Sequence, residues 1–207
     1  MRTPIRLALV AALAPVACSS PAKKHQMTME EMTAADPLPL AKGAKWTYDV
    51  TVRRYDADTD KDVTKTLTWT TEVIDAKEAN GITAYRVKGW PSDLAATDTA
   101  PVATERTLLR NGNNFLFGAS AEPTVDNAEG WFSWPMMDGQ KFCPKAKMVY
   151  CWQVTATDNG YWLKYFTGPD EESFEIEPNT GVTHYHYAHH GPTDEVEAKL
   201  VSFTKGS

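Results

Sequence analysis

The chain has few cysteines and no basic clusters. Only three cysteines occur in 207 residues, which excludes a densely disulfide-bonded scaffold. No run of lysine and arginine is longer than two, and the formal net charge is −6. An acidic chain with dispersed basic residues lacks the general electrostatic field that attracts nucleic acid or anionic lipid headgroups. We therefore predict no nucleic-acid partner.

The motifs that most directly indicate catalysis are also missing. There is no G-x-S-x-G elbow, since GASAE at 118–122 lacks the second glycine, and there is no phosphate-binding glycine loop or H-E-x-x-H helix. The acidic pairs Glu171-Glu172 and Asp194-Glu195 are assigned to turns, where adjacent carboxylates are usually solvated. These absences predict a protein that is not an enzyme and has no cofactor.

The longest apolar run lies at the N-terminus. Arg2 and Arg6 precede an apolar stretch from Leu7 to Ala17, which is too short to span a bilayer as a helix. A basic start followed by a short apolar run is typical of an export signal. We predict that residues 1–17 are a cleaved leader.

The end of this leader resembles the lipobox of bacterial lipoproteins. Small residues, Val16 and Ala17, lead into a single cysteine, Cys18, which Ser19 follows. The resemblance implies that Cys18 becomes the first mature residue and carries acyl chains, which attach the protein to a membrane. A serine after the cysteine further implies an outer-membrane lipoprotein of the bacterial envelope. The alternative is an ordinary secretory peptide that is cleaved elsewhere.

The composition changes again after the leader. Residues 18–36 contain no aromatic or branched aliphatic side chain, so we predict a flexible, lipidated tether. One helical turn is expected after Thr28, because Glu31 stands where a capping box places its acidic partner. The remaining residues, 37–207, suit one domain.

Within this domain the dominant period is two, as expected for half-buried strands. Hydrophobic and polar residues alternate in WTYDVTV at 46–52 and in VTKTLTWTTEVI at 63–74, where threonines form the polar face. Turn sequences recur at short intervals and delimit about ten strands. Short connections favour antiparallel pairing. We predict an all-β domain, an antiparallel meander that forms a strongly curved sheet or an incomplete barrel.

Two segments carry a further resemblance. PLPLAKGAKWTYDV at 37–50 is similar to the P-L-x-x-G-x-x-W-x-Y start of many uncharacterised secreted proteins and lipoproteins of Gram-negative bacteria. Those chains often close with a turn, a Gly-Val, an aromatic strand and a final strand, as in PNTGVTHYHYAHHGPTDEVEAKLVSF at 178–203. The resemblance implies an envelope location and a curved antiparallel sheet of the kind used by the lipoprotein carriers LolA and LolB.

The other two cysteines, Cys143 and Cys151, form an even pair in an exported chain, which predicts a disulfide. The alternative is two zinc thiolates completed by histidines, although seven intervening residues match none of the common finger spacings.

One segment could hold an apolar ligand. EGWFSWPMMDG at 129–139 concentrates aromatic and thioether groups outside any clear strand. Such groups adapt to irregular apolar shapes, so the candidate ligand-binding residues are Trp131, Phe132, Trp134, Met136 and Met137. The alternative is that they plug the open side of the sheet and complete the core.

Two weaker candidates concern metals. Asp56, Asp58 and Asp60 lie at alternate positions, which is the offset of calcium-loop ligands. Four of the five histidines lie in GVTHYHYAHHG at 181–191. On a strand, His184 and His186 would share one face with Val182, while Tyr185, Tyr187 and His189 would lie on the other.

Three functional hypotheses follow. The first is a carrier or sensor that holds a hydrophobic small molecule against the concave face of the sheet. The second is an interaction module that binds another envelope protein through edge strands or acidic loops. The third is a zinc-dependent hydrolase that uses the histidines.

Overall fold

The computed structural model describes residues 28–95, 101–144 and 150–207. The predicted leader, Cys18 and most of the predicted tether lie outside these residues, and the domain boundary at residue 37 stays a prediction. No helix in the described residues is long and apolar enough to cross a membrane.

The described residues contain twelve strands and very little helix. The helices are α1 (Met29–Ala34) and a 3₁₀ helix (Pro91–Leu94). The strands are β1 (Lys45–Asp56), β2 (Lys61–Ala79), β3 (Ile82–Lys88), β4 (Glu105–Asn111), β5 (Asn114–Gly118), β6 (Glu129–Ser133), β7 (Lys141–Phe142), β8 (Trp152–Ala156), β9 (Tyr161–Phe166), β10 (Asp170–Glu177), β11 (Gly181–His189) and β12 (Asp194–Thr204).

All twelve strands belong to one antiparallel sheet, in the order β6-β5-β4-β3-β2-β1-β12-β11-β10-β9-β8-β7. The first and last strands pair with each other, and the edge strands β6 and β7 are in contact. The sheet is therefore nearly closed into a barrel, and the predicted all-β meander is confirmed. Two strands were not predicted: β6, where Gly130 interrupts the alternation, and the two-residue β7.

The two segments that carry the family resemblance contact each other. Trp46 Nε1 donates a hydrogen bond to the carbonyl oxygen of Thr180, and Tyr48 Oη donates one to that of Val182 at 3.0 Å. The Trp46 ring also stacks on Phe203, with ring centroids 4.9 Å apart. Both aromatic residues are buried and satisfy their polar atoms on the β10–β11 turn. The start motif and the closing motif therefore form one joint.

A meander with an even number of strands brings both termini to the same end of the sheet. We call this the capped end; it includes the start of β1, the end of β12 and the turn at 178–180. The opposite end, which we call the open end, includes the turns at 57–60 and 190–193.

The predicted helical turn is confirmed. In α1, Thr28 Oγ1 accepts a hydrogen bond from the backbone N–H of Glu31 at 3.2 Å, and the Glu31 carboxylate accepts one from the backbone N–H of Thr28 at 2.7 Å. This is the reciprocal capping box that the spacing predicts. Two otherwise unpaired backbone donors are thereby satisfied.

Helix α1 and the residues after it cover the capped end. Trp134 Nε1 donates a hydrogen bond to the carbonyl oxygen of Met32 at 2.7 Å, and Tyr161 Oη lies 2.7 Å from the Met32 sulfur. Leu38 and Leu40 are buried in the core below. The last part of the segment predicted as a tether thus packs against the sheet.

After β3 the chain turns inward at Gly89. Trp69 Nε1 and Thr71 Oγ1 both donate hydrogen bonds to the Gly89 carbonyl oxygen, at 2.8 and 2.5 Å. Gly89 has a φ of +70°, and a Cβ there would collide with the carbonyl oxygen of Thr70, so glycine is required. The turn places Trp90 and the 3₁₀ helix in the interior.

Cys143 and Cys151 form a disulfide across the β7–β8 connection. This agrees with the predicted pairing. The alternative hypothesis requires both sulfurs as zinc thiolates, whereas here they are bonded to each other.

Reduction of this disulfide is expected to lower the free energy of unfolding by about 2.5 kcal/mol, because an open loop gives the unfolded chain more conformational entropy. Urea unfolding with and without reductant measures the difference. The Cys143→Ala/Cys151→Ala double variant is the control and should not respond to reductant. Identical unfolding curves for the oxidised and reduced natural protein would contradict the prediction.

Candidate functional site

The predicted ligand-binding segment lies mostly in the interior. Trp131, Phe132, Trp134 and Met136 are at most 5% exposed, whereas Met137 is 56% exposed. Alternation along β6 does not explain this, because Trp131 and Phe132 are consecutive and both buried. A register shift where β5 pairs with β6, between Phe115 and Leu116, is the local cause.

Trp131 is at the centre of an aromatic cluster. Its ring contacts those of Trp90 and Phe174 edge-on, with centroids 5.5 and 5.3 Å away, and it also packs on Phe117 and Trp152. These rings come from both halves of the sheet and fill the space between them. The segment therefore lies where the alternative prediction placed it, in the core of the sheet.

A cavity of about 830 Å³ lies at the open end. Its wall includes Val63, Arg54, Asp194 and His189, which lie side by side on β2, β1, β12 and β11, and, two residues further along three of these strands, Lys65, Val52 and Tyr187. Leu67, Pro101 and Pro192 add apolar surface. We call this cavity the open-end pocket. Of its fifteen lining residues, six are apolar and nine carry polar or charged side chains.

One carboxylate organises the β11 side of the pocket. Asp170 Oδ1 accepts hydrogen bonds from His189 Nδ1 at 2.8 Å and from Tyr187 Oη at 3.0 Å, and its Oδ2 accepts one from Thr167 Oγ1 at 3.1 Å. Because a carboxylate can only accept hydrogen bonds, His189 Nδ1 carries the proton in this contact. The other ring nitrogen, Nε2, is not used by it. The hydrogen bond from His189, together with those from Tyr187 and Thr167, lowers the pKa of Asp170.

A second charged pair lies next to this group. Arg54 Nε donates a hydrogen bond to Asp194 Oδ1 at 3.0 Å, and Arg54 Nη2 donates one to the carbonyl oxygen of Leu94 at 3.1 Å. Leu94 ends the 3₁₀ helix, so this contact joins the pocket wall to the inward segment of residues 90–94, which we call the plug. The Arg54 side chain is only 19% exposed, and the paired Asp194 compensates its charge.

Glu172 faces the same interior from β10, opposite Tyr187 in the register. Tyr185 Oη donates a hydrogen bond to Glu172 Oε1 at 3.2 Å. Burial raises the pKa of Glu172 to about 7, although Tyr185 and the charge of Arg106 act in the opposite direction. The assignment of Glu171-Glu172 and Asp194-Glu195 to turns is wrong, since these residues lie in β10 and β12, where alternate side chains face inward.

Arg106 is held by the 3₁₀ helix. Its Nη2 contacts Asp93 Oδ1, and its Nη1 donates a hydrogen bond to Ser92 Oγ at 2.9 Å. Asp93 is 2% exposed and also accepts hydrogen bonds from the backbone and side chain of Thr104, both at 2.8 Å. A buried carboxylate needs such compensation, so this group fixes the plug between the aromatic cluster and the open-end pocket.

The histidine pair lies on the outer face of the sheet. His184 Nε2 lies 2.6 Å from Glu197 Oε1 and its Nδ1 lies 4.0 Å from Glu175 Oε2, while the ring packs against Trp162. His186 Nε2 lies 3.9 Å from Glu195 Oε1. Each imidazole therefore has carboxylate neighbours of its own.

The prediction that Val182 shares a face with His184 and His186 is wrong. The register between β10 and β11 shifts at this point, so that Glu175 pairs with His184 while Ile176 pairs with Val182. The extra residue, Thr183, places Val182 on the core face with Tyr185, and both are buried.

The aspartates of the predicted calcium loop lie in the β1–β2 turn. Asp56 Oδ1 accepts a hydrogen bond from the backbone N–H of Asp58 at 2.9 Å, and Asp60 Oδ1 accepts one from Tyr55 Oη at 2.7 Å. Across residues 28–95, 101–144 and 150–207, no group of three or more His, Cys, Asp or Glu side chains is arranged to hold a metal ion.

Comparison with known proteins gives little beyond this geometry. A scan against protein-family models and a search of curated proteins each found no match. Among solved structures, the chain is similar to a crystal structure from Bacteroides fragilis that is described as an exported protein with a YmcC-like fold. The two share 13% identity with a TM-score of 0.44, over 83% of this chain and 100% of that chain. A likeness of this degree supports no conclusion about function.

Sequence reasoning missed the open-end pocket, although one signal was available. Arg54 continues the inward series of Trp46, Tyr48, Val50 and Val52, so an arginine occupies a core-facing position. A charged residue at such a position needs a partner. That partner, Asp194, is 140 residues away in sequence.

Proposed function

We propose that this protein is a non-catalytic binding protein of the bacterial envelope, attached to a membrane through lipid on Cys18, that carries or senses a small apolar molecule in the open-end pocket. The observation that carries the proposal is the pocket itself. Its volume of about 830 Å³ lies within the range of roughly 300–1,000 Å³ that is usual for small-molecule sites.

The ligand is proposed to lie on the concave side of the sheet, as predicted from the sequence, but in the open-end pocket and not at the segment 131–137. Four of the five side chains proposed there are packed among other rings and have almost no free surface. The open-end pocket instead presents the side chains of Val63 and Leu67 beside the ion pair of Arg54 and Asp194. An apolar molecule would displace water from these side chains, which is favourable.

A role in binding rather than catalysis is part of the proposal. His189 and Asp170 form an oriented pair, as in many general-base arrangements. The described side chains that line the pocket include no serine or cysteine, and no hydrogen bond joins His189 to the lining threonines, Thr66 and Thr193.

The second candidate, an interaction module that recruits a partner at its sheet edges, has weaker support. Edge-strand recognition needs a row of unpaired backbone groups. Here the two edge strands, β6 and β7, are short and lie against each other.

Filling the pocket tests the proposal. Val63 faces the pocket and is 37% exposed, so Val63→Trp should occupy the cavity without disturbing the core. We expect native mass spectrometry of the full chain, purified from its own envelope, to show a bound small molecule that Val63→Trp loses. Thr64→Trp, on the outer face of the same strand, is the matched control and should keep it. A natural protein that is consistently ligand-free would contradict the proposal.

A further inference from the structure

We infer that the ligand of the open-end pocket has an acidic head group, a carboxylate or a phosphate, attached to an apolar body. This inference rests on the proposed function and concerns which polar atoms of the pocket still need a partner.

The carboxylates in and beside the pocket already accept hydrogen bonds from other groups of the protein. Asp194 is paired with Arg54 at 3.0 Å, and Asp170 accepts hydrogen bonds from His189, Tyr187 and Thr167. Asp56 accepts a hydrogen bond from the backbone of its own turn and opposes Lys61 in the register. A cationic ligand would have to compete with these contacts.

Lys65 is different. It occupies an inward-facing position on β2, opposite Val52, and lines the pocket. No ion pair joins it to any residue of the described ranges 28–95, 101–144 and 150–207. Lys65 is an exposed residue, and no described carboxylate forms an ion pair with its ammonium group, so an acidic head group could pair with it.

His189 provides a second contact point. Its Nδ1 is committed to Asp170, while its Nε2 has no hydrogen-bond partner among the described residues. A Cβ at Gly191 would lie 2.8 Å from this nitrogen, so glycine leaves it uncovered. Nε2 can accept the proton of an acid or, once protonated, donate to its anion.

The rest of the pocket suits the apolar body. Val52, Val63 and Leu67 line it from β1 and β2, and Pro101 and Pro192 line it from the connecting loops. A molecule with its acid at Lys65 or at His189 Nε2 can therefore bury an alkyl or ring portion against these side chains.

The test compares three probes of equal chain length on the full chain: dodecanoate, dodecyl phosphate and 1-dodecanol, each below its aggregation concentration. We expect at least one acid to bind about tenfold more tightly than the alcohol at pH 7, since only the acids can form a charge-assisted contact in the pocket. Lys65→Gln should remove most of this preference and leave the affinity for dodecanol unchanged. Lys199→Gln, which removes the same charge on the outer face of β12, is the matched control and should change neither.

The outcomes separate the two proposals. Tight binding of only one acid supports the inference and identifies the head group as carboxylate or phosphate. Equal affinity for acid and alcohol, both lost in Val63→Trp, would overturn the inference while the proposed function stands. If neither Lys65→Gln nor Val63→Trp changed the affinity for the probes, the proposed function would be overturned, since the probes would then occupy another surface.

Discussion

Replacing Glu172 with glutamine is expected to raise the free energy of unfolding at pH 8 by about 3 kcal/mol and to leave it nearly unchanged at pH 4.5. The Glu172 carboxyl lies in the sheet interior against Tyr185, and burial raises its pKa from 4.5 to about 7. Each unit of difference between the folded and unfolded pKa corresponds to about 1.4 kcal/mol. Glutamine has a similar shape and no charge at any pH.

The direction of the pH dependence follows from the sign of this shift. The folded protein binds the Glu172 proton more tightly than the unfolded chain does, so this proton contributes stability below pH 4.5. That contribution is lost as the pH rises through about 7. The natural protein therefore loses stability over this interval, whereas the glutamine variant escapes the loss.

Urea unfolding of both proteins at pH 4.5 and pH 8 measures the effect. Glu171→Gln, which makes the same replacement at the neighbouring position on the opposite face of β10, is the control and should show no comparable difference between the two pH values. An equal gain for Glu172→Gln at both pH values would mean that the carboxylate charge is not the cause.

Replacing Trp131 with alanine is expected to lower the free energy of unfolding by about 3–5 kcal/mol. Trp131 is 1% exposed and contacts rings from β5, β8 and β10 together with Trp90. Removing the indole deletes these contacts and leaves a cavity that the surrounding strands cannot fill by collapsing. Chemical denaturation at neutral pH measures the change.

Met137→Ala is the matched control from the same segment. Its side chain is 56% exposed, so its loss should change stability by no more than about 0.5 kcal/mol. The pair also separates the two readings of the segment. If Trp131→Ala barely affected stability but abolished binding of the natural ligand, the segment would be the ligand site and not part of the core.

Local patterns in the sequence predicted most of the sheet because strand signals are short-range. Trp46, Tyr48, Val50 and Val52 alternate with polar residues, and all four are buried on the concave face. The capping box at Thr28 depends on a spacing of three residues and is also present. Each of these features is fixed by neighbours in the chain.

Irregularities in the register were not predictable in the same way. The extra residue at Thr183 moves Val182 to the core face, and the shift beside β6 buries two consecutive aromatic residues. A bulge changes the face of the residues beyond it. It arises from pairing with the adjacent strand, which the alternation of a single strand does not record.

The sequence by itself determined an all-β meander, the faces of its regularly alternating strands, the cysteine pair and the helical cap at Thr28, because each depends on residue period or short spacing. The tertiary structure alone decided that the aromatic segment fills the interior and that the pocket lies at the opposite end from the termini. It also decided the partners of the charged groups, since Arg54 meets Asp194 across 140 residues. Pairing of the first strand with the last brings β2, β1, β12 and β11 side by side, and the pocket lies where these four strands meet.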